Sequence, residues 1–115
     1  MSPIAAIHPD DLNAVTHILY FYERWIARHL PPSRQRSSSI TTVQLLQAKL
    51  ALLGSGRTVA LVLSHEDIEH MSAAFDLFIA QMKTKVPASP KRDGLIERCE
   101  QLRHYLVTVF APKQA

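Results

Sequence analysis

Residues 64–86 read Ser-His-Glu-Asp-Ile-Glu-His-Met-Ser-Ala-Ala-Phe-Asp-Leu-Phe-Ile-Ala-Gln-Met-Lys-Thr-Lys-Val. Ser64 with Asp67 three positions on has the form of a capping box, in which each side chain satisfies the other residue's backbone N–H. From there Ile68, Met71, Phe75, Phe78 or Ile79, Met82 and Val86 recur at spacings that suit one face of a helix. Pro87 ends the run, so the stretch predicts one unbroken helix over 65–86. A helix of that length and pattern belongs to a helical bundle.

Downstream, Pro90 restarts the chain, and Leu95, Cys99, Leu102, Leu106 and Val109 or Phe110 mark a further helix over 91–110. Upstream, Thr58-Val59-Ala60-Leu61-Val62-Leu63 is strand-like, with β-branched residues between Gly54-Ser55-Gly56-Arg57 and the capping Ser64. A lone strand leaves backbone groups unpaired, so this segment needs a partner. The symmetric copy in a homodimer is the expected one, with Ile4–Ile7 as the other candidate. Before it, Thr41 or Thr42 can cap a helix over 41–53 that carries Val43, Leu46, Leu50 and Leu53 on one face. The polar run 33–39, Ser-Arg-Gln-Arg-Ser-Ser-Ser, predicts a flexible linker.

The first helix is expected over 10–30, opened by Pro9-Asp10-Asp11 and closed by Pro31-Pro32. Leu12, Val15, Leu19, Tyr22 and Ile26 form one apolar stripe, and Ile18, Phe21 and Trp25 form a second beside it. So broad an apolar surface places this helix at the centre of the fold or at a subunit interface. The expected fold is therefore mainly α. It is a single four-helix bundle-like domain over 1–115, with one short strand-like segment at 58–63 paired in a homodimer.

Composition agrees with one domain. The chain has 115 residues, 47% of them hydrophobic and 20% charged, enough apolar material for one core. The single cysteine, Cys99, excludes an intrachain disulfide and a Cys-rich zinc site, and its apolar neighbours make it a small core residue. The first residues lack the basic and apolar regions of a signal peptide, and no apolar run is long enough to cross a membrane. A cytoplasmic location without membrane contact is the expectation.

Net charge is +3, but its arrangement is more informative. Between Arg24 and His65 there is no acidic residue, while Arg24, Arg28, Arg34, Arg36, Lys49 and Arg57 are all positive. Glu66, Asp67, Glu69 and Asp76 follow, and Lys83, Lys85, Lys91 and Arg92 restore the positive sign. Such blocks can meet an anionic partner or pair with one another inside a bundle or dimer.

Three clusters carry possible chemistry. In His65-Glu66-Asp67-Ile68-Glu69-His70, helical spacing puts His65 over Glu69 and Glu66 over His70, a candidate metal set of His65, Glu69 and His70. A capped acidic first turn explains the same residues through the helix dipole, and no metal or other cofactor is expected. Arg98 and His104, separated by five residues, resemble the Arg-x(4–6)-His motif of HEPN ribonucleases, small helical dimers that cleave RNA. That resemblance implies catalytic roles for Arg98 and His104, but it covers two residues, and Cys99 stands where the family has a polar residue. Arg57, the strand-like run, Ser64 and the acidic turn are similar to the start of a ribbon-helix-helix DNA-binding domain. That family has polar or basic readers on the strand and a short helix after it, whereas this strand offers mainly Thr58, Ala60 and Val62 and a long unbroken helix follows.

The leading expectation is a non-enzymatic domain that acts through self-association and protein–protein contacts, with Phe21, Trp25, Val59, Leu61 and Leu63 as interface candidates. The alternative is a nucleic-acid-binding regulator using the basic 24–65 segment, with Arg34, Arg36 and Arg57 as contacts. A HEPN-like ribonuclease is the third reading.

Overall fold

In a computed structural model, residues 9–52 and 63–110 are described. They form four helices: α1 (Pro9–His29), α2 (Arg34–Ala51), α3 (His65–Lys85) and α4 (Pro90–Phe110). There is no strand among the described residues. Of the segment expected as a strand, Val59 and Leu61 lie outside them, as does Arg57 before it, and Leu63 is in the core at 2% exposure.

The capping box at the start of α3 forms as the sequence predicts. The Asp67 N–H donates to the Ser64 hydroxyl over 3.1 Å, and the Ser64 N–H donates to the Asp67 carboxylate over 3.0 Å. At the other end the Val86 N–H still reaches the Met82 carbonyl, and the next residue is Pro87.

Residues 33–39 are not a flexible linker. Ser33 is itself an N-cap, its hydroxyl accepting from the Arg36 N–H at 3.0 Å, and helix runs from Arg34 onward. Once the turn at Val43, Leu46 and Leu50 is nucleated by burial, each added residue costs little. Ile40 supplies an apolar contact further back, packed against the core. Polar composition concealed this extension, because Ile40 is the sole apolar side chain between Ser33 and Val43.

Two hairpins result. Pro31-Pro32 separates α1 from α2, and the Arg36 guanidinium donates to the Leu30 carbonyl across the turn. Gln44 and Gln47 of α2 both donate to the Glu23 carboxylate of α1, at 2.8 and 3.3 Å. The link 86–89 joins α3 to α4, where Arg92 donates to the carbonyls of Lys83 and Val86. Asp76 of α3 pairs with Arg103 of α4.

Helix α3, not α1, is the shared element, packing against each of the other three. Its Met71, Ala74 and Phe75 are fully buried among Val15, Ile18 and Leu19 of α1, Val43, Leu46 and Leu50 of α2, and Leu102 and Leu106 of α4. The second apolar stripe of α1 is therefore met largely within the chain. Ile18 is buried, and Phe21 stands edge-on to Phe78 with ring centres 5.8 Å apart. Among the described residues no helix is long and apolar enough to cross a membrane.

Candidate anion-binding cleft

Phe21, Arg24, Trp25, Arg28 and His29 fall three or four residues apart along the last two turns of α1, so they share one face. That face meets Gln81 and Lys85, one turn apart near the end of α3, and between them lies a cleft of about 200 Å³. A neighbouring hollow of about 370 Å³ is lined by His17, Tyr20, Phe21 and Arg24. Phe21 and Arg24 line both, so one surface continues along α1 from His17 to His29, about 18 Å at the helical rise.

The aromatic groups in this surface are fixed. Trp25 and His29 are stacked, with ring centres 4.8 Å apart and planes 15° from parallel. The His29 Nδ1 lies 3.0 Å from the Trp25 carbonyl oxygen. A carbonyl only accepts, so Nδ1 carries the hydrogen and Nε2 is left free of that bond. The Arg24 guanidinium sits 5.5 Å above the Tyr20 ring centre, a cation–π arrangement.

The cations of the described residues divide into those with a carboxylate partner and those without. Lys49, Arg92, Arg98 and Arg103 each have a carboxylate partner, namely Asp67, Asp93, Asp11 and Asp76. Among the described residues, Arg24, Arg28 and Lys85 have none within ion-pair distance, and the same holds for Arg34, Arg36, Lys83 and Lys91. Known proteins offer no guide here. No family model, curated protein or solved structure matches the chain.

Helix dipoles explain part of the positive charge. Arg28 and His29 in the last turn of α1, and Lys83 and Lys85 in that of α3, oppose the negative end of each helix. They do not explain Arg24, which lies more than a turn back. They also fail for Arg34 and Arg36 of α2 and Lys91 and Arg92 of α4, which stand in first turns where acids are favoured. Helix α2 has no acidic residue in its first turn at all. Both of these helices begin only a few residues after the ends of α1 and α3 that wall the cleft.

The residues singled out from the sequence are dispersed. Arg34 is exposed at the start of α2, Arg36 is engaged in closing the hairpin turn, and Arg57 is outside the described residues. Phe21 and Trp25 are half-buried walls of the cleft. Arg98 donates from Nε and Nη2 to Asp11, which holds its guanidinium above the usual arginine range. His104 is exposed, six residues on, so the two side chains leave α4 about 120° apart. His65 and Glu69 are exposed, while His70 is half-buried beside Glu66 at 3.8 Å and the Tyr22 ring at 6.1 Å. No group of three or more His, Cys, Asp or Glu is placed to hold a metal among the described residues. Burial pushes the Cys99 thiol up, so it stays protonated and a poor nucleophile.

Sequence reasoning missed His17, Gln81 and Lys85, gave Tyr20 and His29 no part in a shared site, and did not single out Arg24 and Arg28 from their basic block. The pairing of Arg24 and Arg28 with Phe21 and Trp25 on one helical face was available from spacing alone. The contribution of α3 was not.

Proposed function

We propose that the chain is a nucleic-acid-binding domain that holds phosphate groups along the cleft between α1 and α3. The observation that carries this reading is that Arg24, Arg28 and Lys85, none with a carboxylate partner among the described residues, line one cleft with an aromatic wall. Polyanions are attracted to such a surface through counterion release, whatever their sequence. Arg34, exposed five residues beyond His29, adds to the positive charge of this part of the chain. The basic 24–65 block then acts through its first part, Arg24 and Arg28, joined by a lysine from another helix.

Binding of a labelled oligonucleotide over a salt series tests this. Three phosphate contacts give the plot of log affinity against log salt a slope steeper by roughly 2 to 3 than that of a variant lacking them. The triple variant R24A/R28A/K85A is expected to lose that much slope while keeping its helical circular dichroism. An unchanged slope in the triple variant sinks the reading.

Self-association is a second reading, favoured by a different observation. Leu45 and Leu52 of α2 and its C-cap are 57% and 49% exposed, seven residues apart and hence on one side. A second copy is the simplest cover for this side. Light scattering is expected to give twice the chain mass, and the double variant L45E/L52E the monomer mass. A wild-type monomer at all concentrations ends this reading.

A further inference from the structure

We infer that the occupant of the cleft is a single strand, with one unpaired base stacked against the Trp25–His29 pair and flanking phosphates on Arg24, Arg28 and Lys85. This rests on the nucleic-acid reading above and adds the form of nucleic acid.

Size comes first. A cleft of about 200 Å³ is smaller than the roughly 300–1,000 Å³ of sites that enclose small molecules. It is nonetheless continuous with a second hollow along some 18 Å of α1. A recess that is shallow at each point but extended in length suits a chain whose units enter one after another. Proteins that hold single strands combine a positive groove with aromatic side chains on which successive bases stack.

The rings argue against a duplex. In a double helix the base faces are covered by their neighbours, so aromatic side chains gain nothing from them. Here Trp25 and Phe21 are half-buried in the wall of a recess, and neither stands on a protruding helix that could enter a groove. The Trp25–His29 stack is also set before binding. The His29 Nδ1 bond to the backbone holds its ring nearly parallel to the indole, so ordering it costs no further rotamer entropy on binding.

Gln81 completes the set. Its amide, half-buried on the facing wall, makes no hydrogen bond to another described residue. It offers a donor and an acceptor within the same cleft as the aromatic pair, as the edge of a base requires. An acidic peptide would use the three cations, but would leave the rings and this amide without a role.

Trp25 is the only tryptophan in the chain, so its fluorescence reports on the cleft directly. The full chain is titrated at low salt with a 12-mer of thymidine, with a duplex of equal length, and with polyglutamate. The single strand is expected to quench Trp25 emission and to bind more tightly than the duplex. Stacking of one base corresponds to about a 5- to 150-fold change in affinity. By anisotropy of the labelled 12-mer, W25L is therefore expected to lose at least about fivefold. W25F keeps a ring and stays within about threefold of wild type, which separates stacking from a packing defect. Duplex bound as tightly as single strand, with Trp25 emission unchanged, overturns this inference and leaves the phosphate reading standing. Polyglutamate bound as well as the 12-mer, with W25L without effect, overturns it in favour of an acidic protein partner. No binding of either nucleic acid at low salt overturns both readings.

Discussion

Asp67 is 3% exposed yet charged, and three groups make that tolerable. Burial alone pushes its pKa up; the Lys49 ammonium at 2.7 Å, with the Ser64 N–H and hydroxyl, outweighs burial and brings it below the usual aspartate value. A carboxyl whose folded pKa is depressed contributes stability above its unfolded pKa, and that contribution is lost as pH falls through the folded value. D67N keeps an oxygen for the Ser64 N–H but loses the charge facing Lys49, which is itself 40% exposed and so partly screened. We expect D67N to cost roughly 1–2 kcal/mol at pH 7 in urea unfolding, taking Asp67 as a hydrogen-bonded charge. Below about pH 4 the two proteins should converge, because the wild type is then losing the same charge. A gap that stays constant from pH 7 to pH 3 would show that Asp67 does not act through its ionisation. The cap was legible at this scale, since Ser64 and Asp67 are neighbours in sequence. Lys49 was not, because nothing in a run of leucines and glutamines says which turn of α2 will face the start of α3.

Among the elements, α1, α3 and α4 follow from apolar period and proline stops to within a residue or two of the expected ends. The beginning of α2 does not, because an N-cap serine and a loop serine are the same letter. What separates them is Ile40, one contact with the core whose value depends on the tertiary structure. Helix α4 carries the opposite error of nature, a residue its helix does not want. Gly94 lies inside it, and a methyl group there would meet nothing within 4 Å. G94A is expected to stabilise the protein by about 0.5–1 kcal/mol through the helical preference of alanine over glycine. A lower midpoint in thermal unfolding would contradict that expectation.

At the scale of the whole molecule, the alternating charge blocks were readable but their meeting was not. Arg24 and Arg28 lie on one helix and could be placed on a common face from their numbers. Lys85 and Gln81 join them only because α1 and α3 pack so that their last turns face across a cleft, a matter of crossing geometry. The metal and ribonuclease candidates were equally visible as spacing. The folded chain answers one of them with a different use, since Arg98 is tied to Asp11. The strand-like run at 58–63 falls mostly outside the described residues, so its pairing rests with the self-association experiment.

The position of α3 at the centre also sets how the molecule comes apart. Helix α4 packs chiefly on α3, with the Arg98–Asp11 pair reaching α1 and Leu95 and Tyr105 turned partly to water. We expect it to open before the other three, whereas α3 cannot leave without dissolving its interface with each of them. Native-state hydrogen exchange should therefore find two tiers: amides of α4 opening at lower free energy, and those of α3 released only in global unfolding. Equal protection of α3 and α4 would mean a single cooperative block. With two tiers, the cleft between α1 and α3 belongs to the tier that survives.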